Sequence, residues 1–107
     1  MAITNFQVGT GVATAAYTAS ADTAVTVIYI TNKSSSDGNV DIYVVPSYDG
    51  STAPTENYKI YNNLLIPAED TYVVDTEKLI LANGDAIFIA APDSSAQFNA
   101  TISTIGL

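Results

Sequence analysis

Short runs of alternating or β-branched residues, each broken after a few positions by Gly, Pro, Asn, Asp or Ser, recur along the whole of this chain. The clearest is Ala24-Val25-Thr26-Val27-Ile28-Tyr29-Ile30-Thr31. Branching at Cβ restricts χ1 against a helical turn but packs well on a pleated surface, so this run predicts a strand. Val25, Val27 and Tyr29 share one parity, and Ile28 and Ile30 the other. Apolar groups on both faces imply a central strand, or one whose outer face meets a partner. Val40-Asp41-Ile42-Tyr43-Val44-Val45 follows, with Val40, Ile42 and Val44 on one face, and stops at Pro46, which has no N–H for a ladder. The polar segment 32–39 between the two runs carries Gly38 and Asn39, so the pair reads as an antiparallel hairpin.

The rest of the chain repeats the pattern. Weak strands are expected near 5–8 and 12–19, with the alternative that residues 1–20 form an arm laid on a neighbour. The longest loop spans 46–57, with a turn at Tyr48-Asp49-Gly50-Ser51. Tyr58, Ile60, Leu64 and Ile66 share parity up to Pro67. Tyr72 with Val74, Leu79 with Leu81, and 86–91 predict further strands, with a tight turn at Asn83-Gly84. In 98–105, Phe98, Ala100 and Ile102 point inward and Asn99, Thr101 and Ser103 outward. Seven or eight short strands at turn spacings of roughly 8–12 residues predict an all-β fold, an antiparallel β-sandwich of jelly-roll or immunoglobulin-like type. A chain of 107 residues suits a single domain, 1–107. Size scaling gives it a folded surface of about 5,700 Å², with roughly 65% of the unfolded surface buried.

What is missing narrows the chemistry. There is no His, Cys or Trp, and the only cations are Lys33, Lys59 and Lys78. Without Cys there is neither a disulfide framework nor a thiolate zinc site. Without His, no serine has the usual base, and no lysine follows a serine by three positions. Gly9-Thr10-Gly11 has no accompanying lysine, so it reads as a turn rather than a phosphate loop. Asp37-Gly38-Asn39-Val40-Asp41 opens like a calcium loop, but Ile42 stands where glycine should and Tyr48 where the bidentate glutamate should, so no metal is expected. Asp49, Glu56, Glu69, Asp70, Asp85 and Asp93 could pair as hydrolytic carboxylates, yet all lie in expected turns, where acids serve the backbone. The sequons at Asn32 and Asn99 carry no weight without an export signal, and Met1-Ala2-Ile3-Thr4-Asn5 has none of the features of one. No enzyme activity and no cofactor are expected.

A formal charge of −8 opposes binding to nucleic acid or to an anionic membrane surface. Charged residues make up 13% of the chain and hydrophobic ones 48%. A typical soluble domain is about 25% charged. The surface must therefore be covered by Thr, Ser, Asn and Ala or by another subunit, and a homo-oligomer is expected. Seven tyrosines supply amphipathic contact area. Tyr43, opposite in parity to Val40 and Ile42, and Tyr48, on the long loop, are the ones placed to meet a neighbour. Candidate contact residues are Phe6 and Val8 in the arm, Tyr29 in 24–31, Tyr43 and Val45 in 40–46, and Tyr48.

Several segments carry a resemblance. The opening reads Asn5-Phe6-Gln7-Val8-Gly9-Thr10, and later comes Leu65-Ile66-Pro67-Ala68-Glu69-Asp70-Thr71-Tyr72. That leads into Glu77-Lys78-Leu79-Ile80-Leu81-Ala82-Asn83-Gly84-Asp85-Ala86-Ile87, and the end reads Ala100-Thr101-Ile102-Ser103-Thr104-Ile105. With these, the stretch 25–105 resembles small virion structural proteins of tailed bacteriophages. The resemblance implies a β-sandwich that decorates or cements the capsid, or attaches at the tail and neck, as a symmetric oligomer without catalytic residues. Its implied partners are a major capsid or tail protein and further copies of itself, in a virion assembled in the host cytoplasm. The alternative is a tail- or fibre-associated module whose 46–57 loop, through Tyr48 and Asp49, contacts a host receptor or glycan.

Overall fold

A computed structural model describes residues 2–10, 14–75, 79–92 and 97–107. Among these residues nine strands run in the order β1 (Ala2–Val8), β2 (Tyr17–Thr18), β3 (Thr23–Asn32), β4 (Gly38–Val45), β5 (Lys59–Ile66), β6 (Thr71–Val74), β7 (Leu79–Leu81), β8 (Ala86–Ala90) and β9 (Phe98–Gly106). The only helical element among the described residues is a 3-10 turn at Glu56–Tyr58. Parts of the expected strand 12–19, including Val12, and the residues Glu77, Lys78 and Asp93 lie outside the described residues.

The strands form two antiparallel sheets. The first has the order β1-β9-β3-β6, with β7 also paired to β3, and the second has the order β2-β8-β4-β5. The pairs β4·β5, β3·β6 with β3·β7, β2·β8 and β1·β9 nest inside one another. The chain is thus one long antiparallel hairpin whose successive pairs fall in alternate sheets. That connectivity is a jelly roll rather than an immunoglobulin sandwich. β6 and β7 occupy successive stretches of β3 and act as one interrupted strand. The accessible surface, 5631 Å², is that of a compact domain of this mass.

Between the sheets lies a core led by Phe98, Ile28, Ile30, Ile42, Ile66 and Ile102. β8 is buried on both faces, as its unbroken apolar run Ala86–Ala90 requires. The segment expected as strands or an arm contributes β1, paired along its length to β9 of the same chain.

Three local readings are corrected by long-range structure. β3 and β4 are not a hairpin: they lie in opposite sheets, and the 33–37 connection crosses the sandwich edge. Val25 does not share a face with Val27 and Tyr29. Its register slips by one residue against β9 between Val25 and Val27, so Val25 turns inward at 3% exposure while Tyr29 faces out. Ile60 does not point inward with Leu64 and Ile66. Two register shifts against β4 and a left-handed Asn63 (φ +54°) rotate β5, so Tyr61 packs on the core and Ile60 is exposed. An extra residue on one strand inverts the alternation beyond it.

One side chain closes the corner where β3 leaves its sheet. Asn32 is fully buried. Its Nδ2 donates to the carbonyls of Ser36 at 2.8 Å and Ile66 at 3.0 Å, and its Oδ1 accepts from the Ser34 amide at 3.0 Å and the Ser34 hydroxyl at 2.7 Å. Because Ile66 ends β5, this amide ties the first sheet to the second. The Asn32 sequon is therefore inaccessible in the folded chain.

Candidate interaction surface

The two sheets differ on their outer faces. On the second sheet, Tyr43 and Val45 of β4 and Ala86 and Phe88 of β8 form a separate buried cluster. It is roofed by the connection after β4: Tyr48 meets Phe88 edge-to-face at 5.0 Å, and Ala15 packs beside it. The roof is pinned by backbone. The Tyr48 amide donates to the Gly84 carbonyl at 2.9 Å, and the Ser47 amide donates to Asp85 Oδ1 at 2.9 Å.

Beside the roof sits a charged plug. Asp41 is buried within β4; its Oδ1 accepts from the Asn63 amide of the bulge at 2.8 Å and its Oδ2 lies 3.4 Å from Lys59 Nζ. Lys59 also meets Glu56 at 3.0 Å and stands 5.7 Å over the Tyr43 ring. The hydrogen bond to Glu56, opposed by partial burial and aided by Asp41, raises the Lys59 pKa. Burial raises that of the Tyr43 phenol, with Lys59 working against it.

Four of the loop and turn acids, Asp37, Asp49, Asp70 and Asp85, are committed to the backbone. Asp37 accepts from the Ala68 amide, Asp70 from its neighbour Thr71, and Asp85 from Ala82 as well as Ser47. Asp49 accepts from the Ser51 and Thr52 amides and from the Thr52 hydroxyl. The Thr52 hydroxyl, followed by these amides, holds the Asp49 carboxyl down at about 2. Asp37 and Asp41, the ends of the calcium-like stretch, serve separate partners. Among the described residues no three of His, Cys, Asp and Glu are grouped to hold a metal, and no helix is long and apolar enough to cross a membrane.

Among the described residues nothing roofs the first sheet. The register places Ile3, Asn5 and Gln7 of β1, Asn99, Thr101, Ser103 and Ile105 of β9, Ala24, Val27, Tyr29 and Thr31 of β3, Thr71 and Val73 of β6, and Ile80 of β7 on its outer face. None of these residues is charged, in a chain of net −8. The face is graded. One end is the polar row Gln7, Asn99, Thr31 and Thr71; the other is apolar, with Ile3 at 67% exposure, Ile80 at 64%, Tyr29 at 43%, Val73 at 41% and Ile105 at 38%. Asp22 and Asp75 stand outside the strands at its margins.

Of the six residues singled out from sequence, Tyr29 lies exposed on this face. Phe6 and Val8 have the inward parity of β1: Val8 is in the core and Phe6 packs against it. Tyr43 and Val45 do face away from the main core, as parity requires, but lie under their own chain's loop, and Tyr48 is half-buried as part of that roof. Ile3, Val73, Ile80 and Ile105 escaped notice. Ile105 was signalled, since it continues the outward row Asn99, Thr101, Ser103 as its one apolar member.

A second feature lies at the roof. Pro46, Tyr48, Asp49, Thr52, Pro54 and Tyr58 are among the residues lining a recess of about 250 Å³. It offers two aromatic rings, hydroxyls and the Asp49 carboxylate, whose pKa is lowered by the Thr52 hydroxyl and the Thr52 and Ser51 amides. No protein-family model matches the chain, and neither does any curated protein or solved structure.

Proposed function

We propose that this chain is a noncatalytic structural subunit of a bacteriophage virion, a capsid decoration or cement protein that works as a symmetric homo-oligomer. The observation that carries the reading is the uncharged, partly apolar outer face of the first sheet. A chain with eight excess negative charges whose first sheet carries no charged residue at the outward positions of its described strands has a surface suited to lasting contact. Burying such a face stabilises association by about 25 cal/mol per Å² before association costs. The acidic loops around it keep free subunits soluble before assembly. The engagement of Asp37, Asp49, Asp70 and Asp85 by backbone amides supports a noncatalytic role. Jelly rolls also build viral capsid and lectin domains, which is an argument from architecture alone.

The test uses fluorescently labelled protein and particles of the phage whose genome encodes it. Co-sedimentation with heads, with density for the sandwich on the capsid by cryo-electron microscopy, is the expected result. Labelling of host cells without labelling of heads rejects it. The recess at Tyr48, Asp49 and Tyr58 favours a second reading, a tail- or fibre-associated module that holds a sugar by ring stacking and acid–hydroxyl hydrogen bonds. Glycan-array binding that Tyr58→Ala abolishes would select it.

A further inference from the structure

We propose that Asn83-Gly84 is a deamidation site held closed by the fold and opened by release of the 16–19 segment, and that its product keeps the roof of the second sheet from re-forming. The inference stands apart from the assembly reading and uses a different part of the molecule.

The chemistry follows from the pair of residues. Of the eight asparagines in the chain, Asn83 is the one followed by glycine. With no Cβ on the next residue, the following amide nitrogen reaches the asparagine side chain unhindered. The Gly84 nitrogen gives up its proton and bonds to Asn83 Cγ. The Cγ–Nδ2 bond breaks, and Nδ2 leaves with that proton as ammonia. Water then opens the cyclic imide. Opening at Cγ leaves aspartate. Opening at the backbone carbonyl leaves isoaspartate, whose main chain runs through Cβ and is one atom longer. Water is the sole co-reactant.

Asn83 is exposed, so water reaches it, yet two features of the fold keep the Gly84 nitrogen away. The first is the turn. The Asp85 amide donates to the Ala82 carbonyl at 3.0 Å, Gly84 has φ +94°, and Asn83 is not among the residues of positive φ. That is a type II turn, with ψ of about +120° at its first central residue. Imide closure needs Asn83 Cβ and the Gly84 nitrogen eclipsed about the Cα–C bond, and this ψ sets them roughly 120° apart. The second is a clasp. The Gly84 amide donates to the Ala19 carbonyl at 2.8 Å, the Ala19 amide to the Asp85 carbonyl at 2.9 Å and the Ala16 amide to the Ile87 carbonyl at 2.8 Å. The clasp hangs on β2, only two residues long, so it opens at less cost than the core.

The same turn pins the roof. The Gly84 carbonyl accepts from the Tyr48 amide at 2.9 Å, and the Asp85 carboxylate accepts from the Ser47 and Ala82 amides. An extra main-chain atom between Ala82 and Asp85 spoils the closure of the turn, and the new carboxylate sets a like charge beside Asp85. Ser47 and Tyr48 then lose their acceptors, so one opening event becomes permanent.

The experiment follows Asn83 by peptide-mapping mass spectrometry in the full-length chain at mildly alkaline pH, against the same chain unfolded in guanidinium chloride. The unfolded chain is expected to deamidate at Asn83, and the folded chain at least about tenfold more slowly. Tyr17→Ala strips β2 of the ring that packs on the core and is expected to raise the folded-state rate at least about fivefold. Tyr17→Val, the milder truncation, takes its place where the alanine variant does not fold. Ile66→Val, a core change on the far strand β5, is expected to leave the rate within about twofold. In the deamidated fraction the Ser47 and Tyr48 amides are expected to exchange hydrogen at least about tenfold faster than in the unmodified protein. Equal rates in the folded and unfolded chain overturn the proposal, as does an unfolded chain that keeps Asn83 intact. Equal acceleration by the Tyr17 and Ile66 substitutions makes global unfolding the gate and overturns the role of the clasp, and so does a Tyr17 variant with the wild-type rate. Unchanged protection at Ser47 and Tyr48 overturns the effect on the roof.

Discussion

Replacing Asn32 by alanine removes the one side chain that bonds both sheets at the β3 corner. Four hydrogen bonds disappear, to Ser36, to Ile66 and twice from Ser34. They are not equal. Ser34 is half-buried and Ser36 exposed, so water replaces much of what they lose, at about 0.5 kcal/mol each. The bond to the Ile66 carbonyl is buried, and leaving that acceptor without a donor costs about 1–3 kcal/mol. The sum is about 3–4 kcal/mol, a large share of the roughly 5–15 kcal/mol that a domain of this kind has. Urea unfolding followed by circular dichroism reads it directly. With a slope of about 1.5 kcal/mol/M, the midpoint should fall by about 2 M, and thermal unfolding by about 12–20 °C. Asn32→Asp sharpens the test. It keeps the acceptor for Ser34 but turns a carboxylate oxygen toward two carbonyls, which raises the folded-state pKa of the new acid. A raised acid pKa adds destabilisation as pH climbs above the unfolded value near 4. The aspartate variant should therefore lose stability relative to wild type between pH 5 and 7, while the alanine variant shows a constant gap. An alanine variant within 1 kcal/mol of wild type would refute the view that this corner holds the sheets together.

Three further outcomes follow from the loops and bulges. Asp49 should titrate near 2 by carbon-detected carboxyl NMR, and Thr52→Val should move that midpoint up toward the ordinary 3.8. Because the folded pKa is depressed, the contribution of Asp49 is present above 3.8 and fades as pH falls through about 2. Asp41→Ala should cost about 2 kcal/mol in urea unfolding, by leaving the Asn63 amide of the bulge without its acceptor, and Asp41→Asn clearly less, because an amide oxygen still accepts there. Gly84→Ala should cost about 1 kcal/mol by differential scanning calorimetry: φ is +94° and no atom lies within 4 Å of the added methyl, so the penalty is conformational alone.

Much of the fold was legible because its signals are local. Runs such as 24–31, 40–45 and 86–91 declared themselves as strands through branching and alternation, and the turn at Gly84 through its need for φ > 0. Parity held along β9, where no bulge intervenes, and failed at Val25 and Ile60, where one does. The slip in β3 has no residue that announces it. In β5 the left-handed Asn63 is supported by Asp41, a residue 22 positions away. The role of Asn32 was hidden for a similar reason. Asparagine before Lys-Ser-Ser-Ser reads as turn material, and only the arrival of Ile66 makes it a buried clasp.

By itself the sequence determined the material of this protein: β-strands of a given length, turns between them, a surface poor in charge, and an inventory without His or Cys. Tertiary structure alone decided which sheet each strand joins, and therefore that Tyr43 and Phe88 are roofed by their own loop while Tyr29 and Ile80 stand bare. The reason is that the pleat repeats every two residues and can be read within one strand. The choice of partner strand is set by distant segments competing to bury the same apolar face, and no window of the sequence contains both sides of that competition.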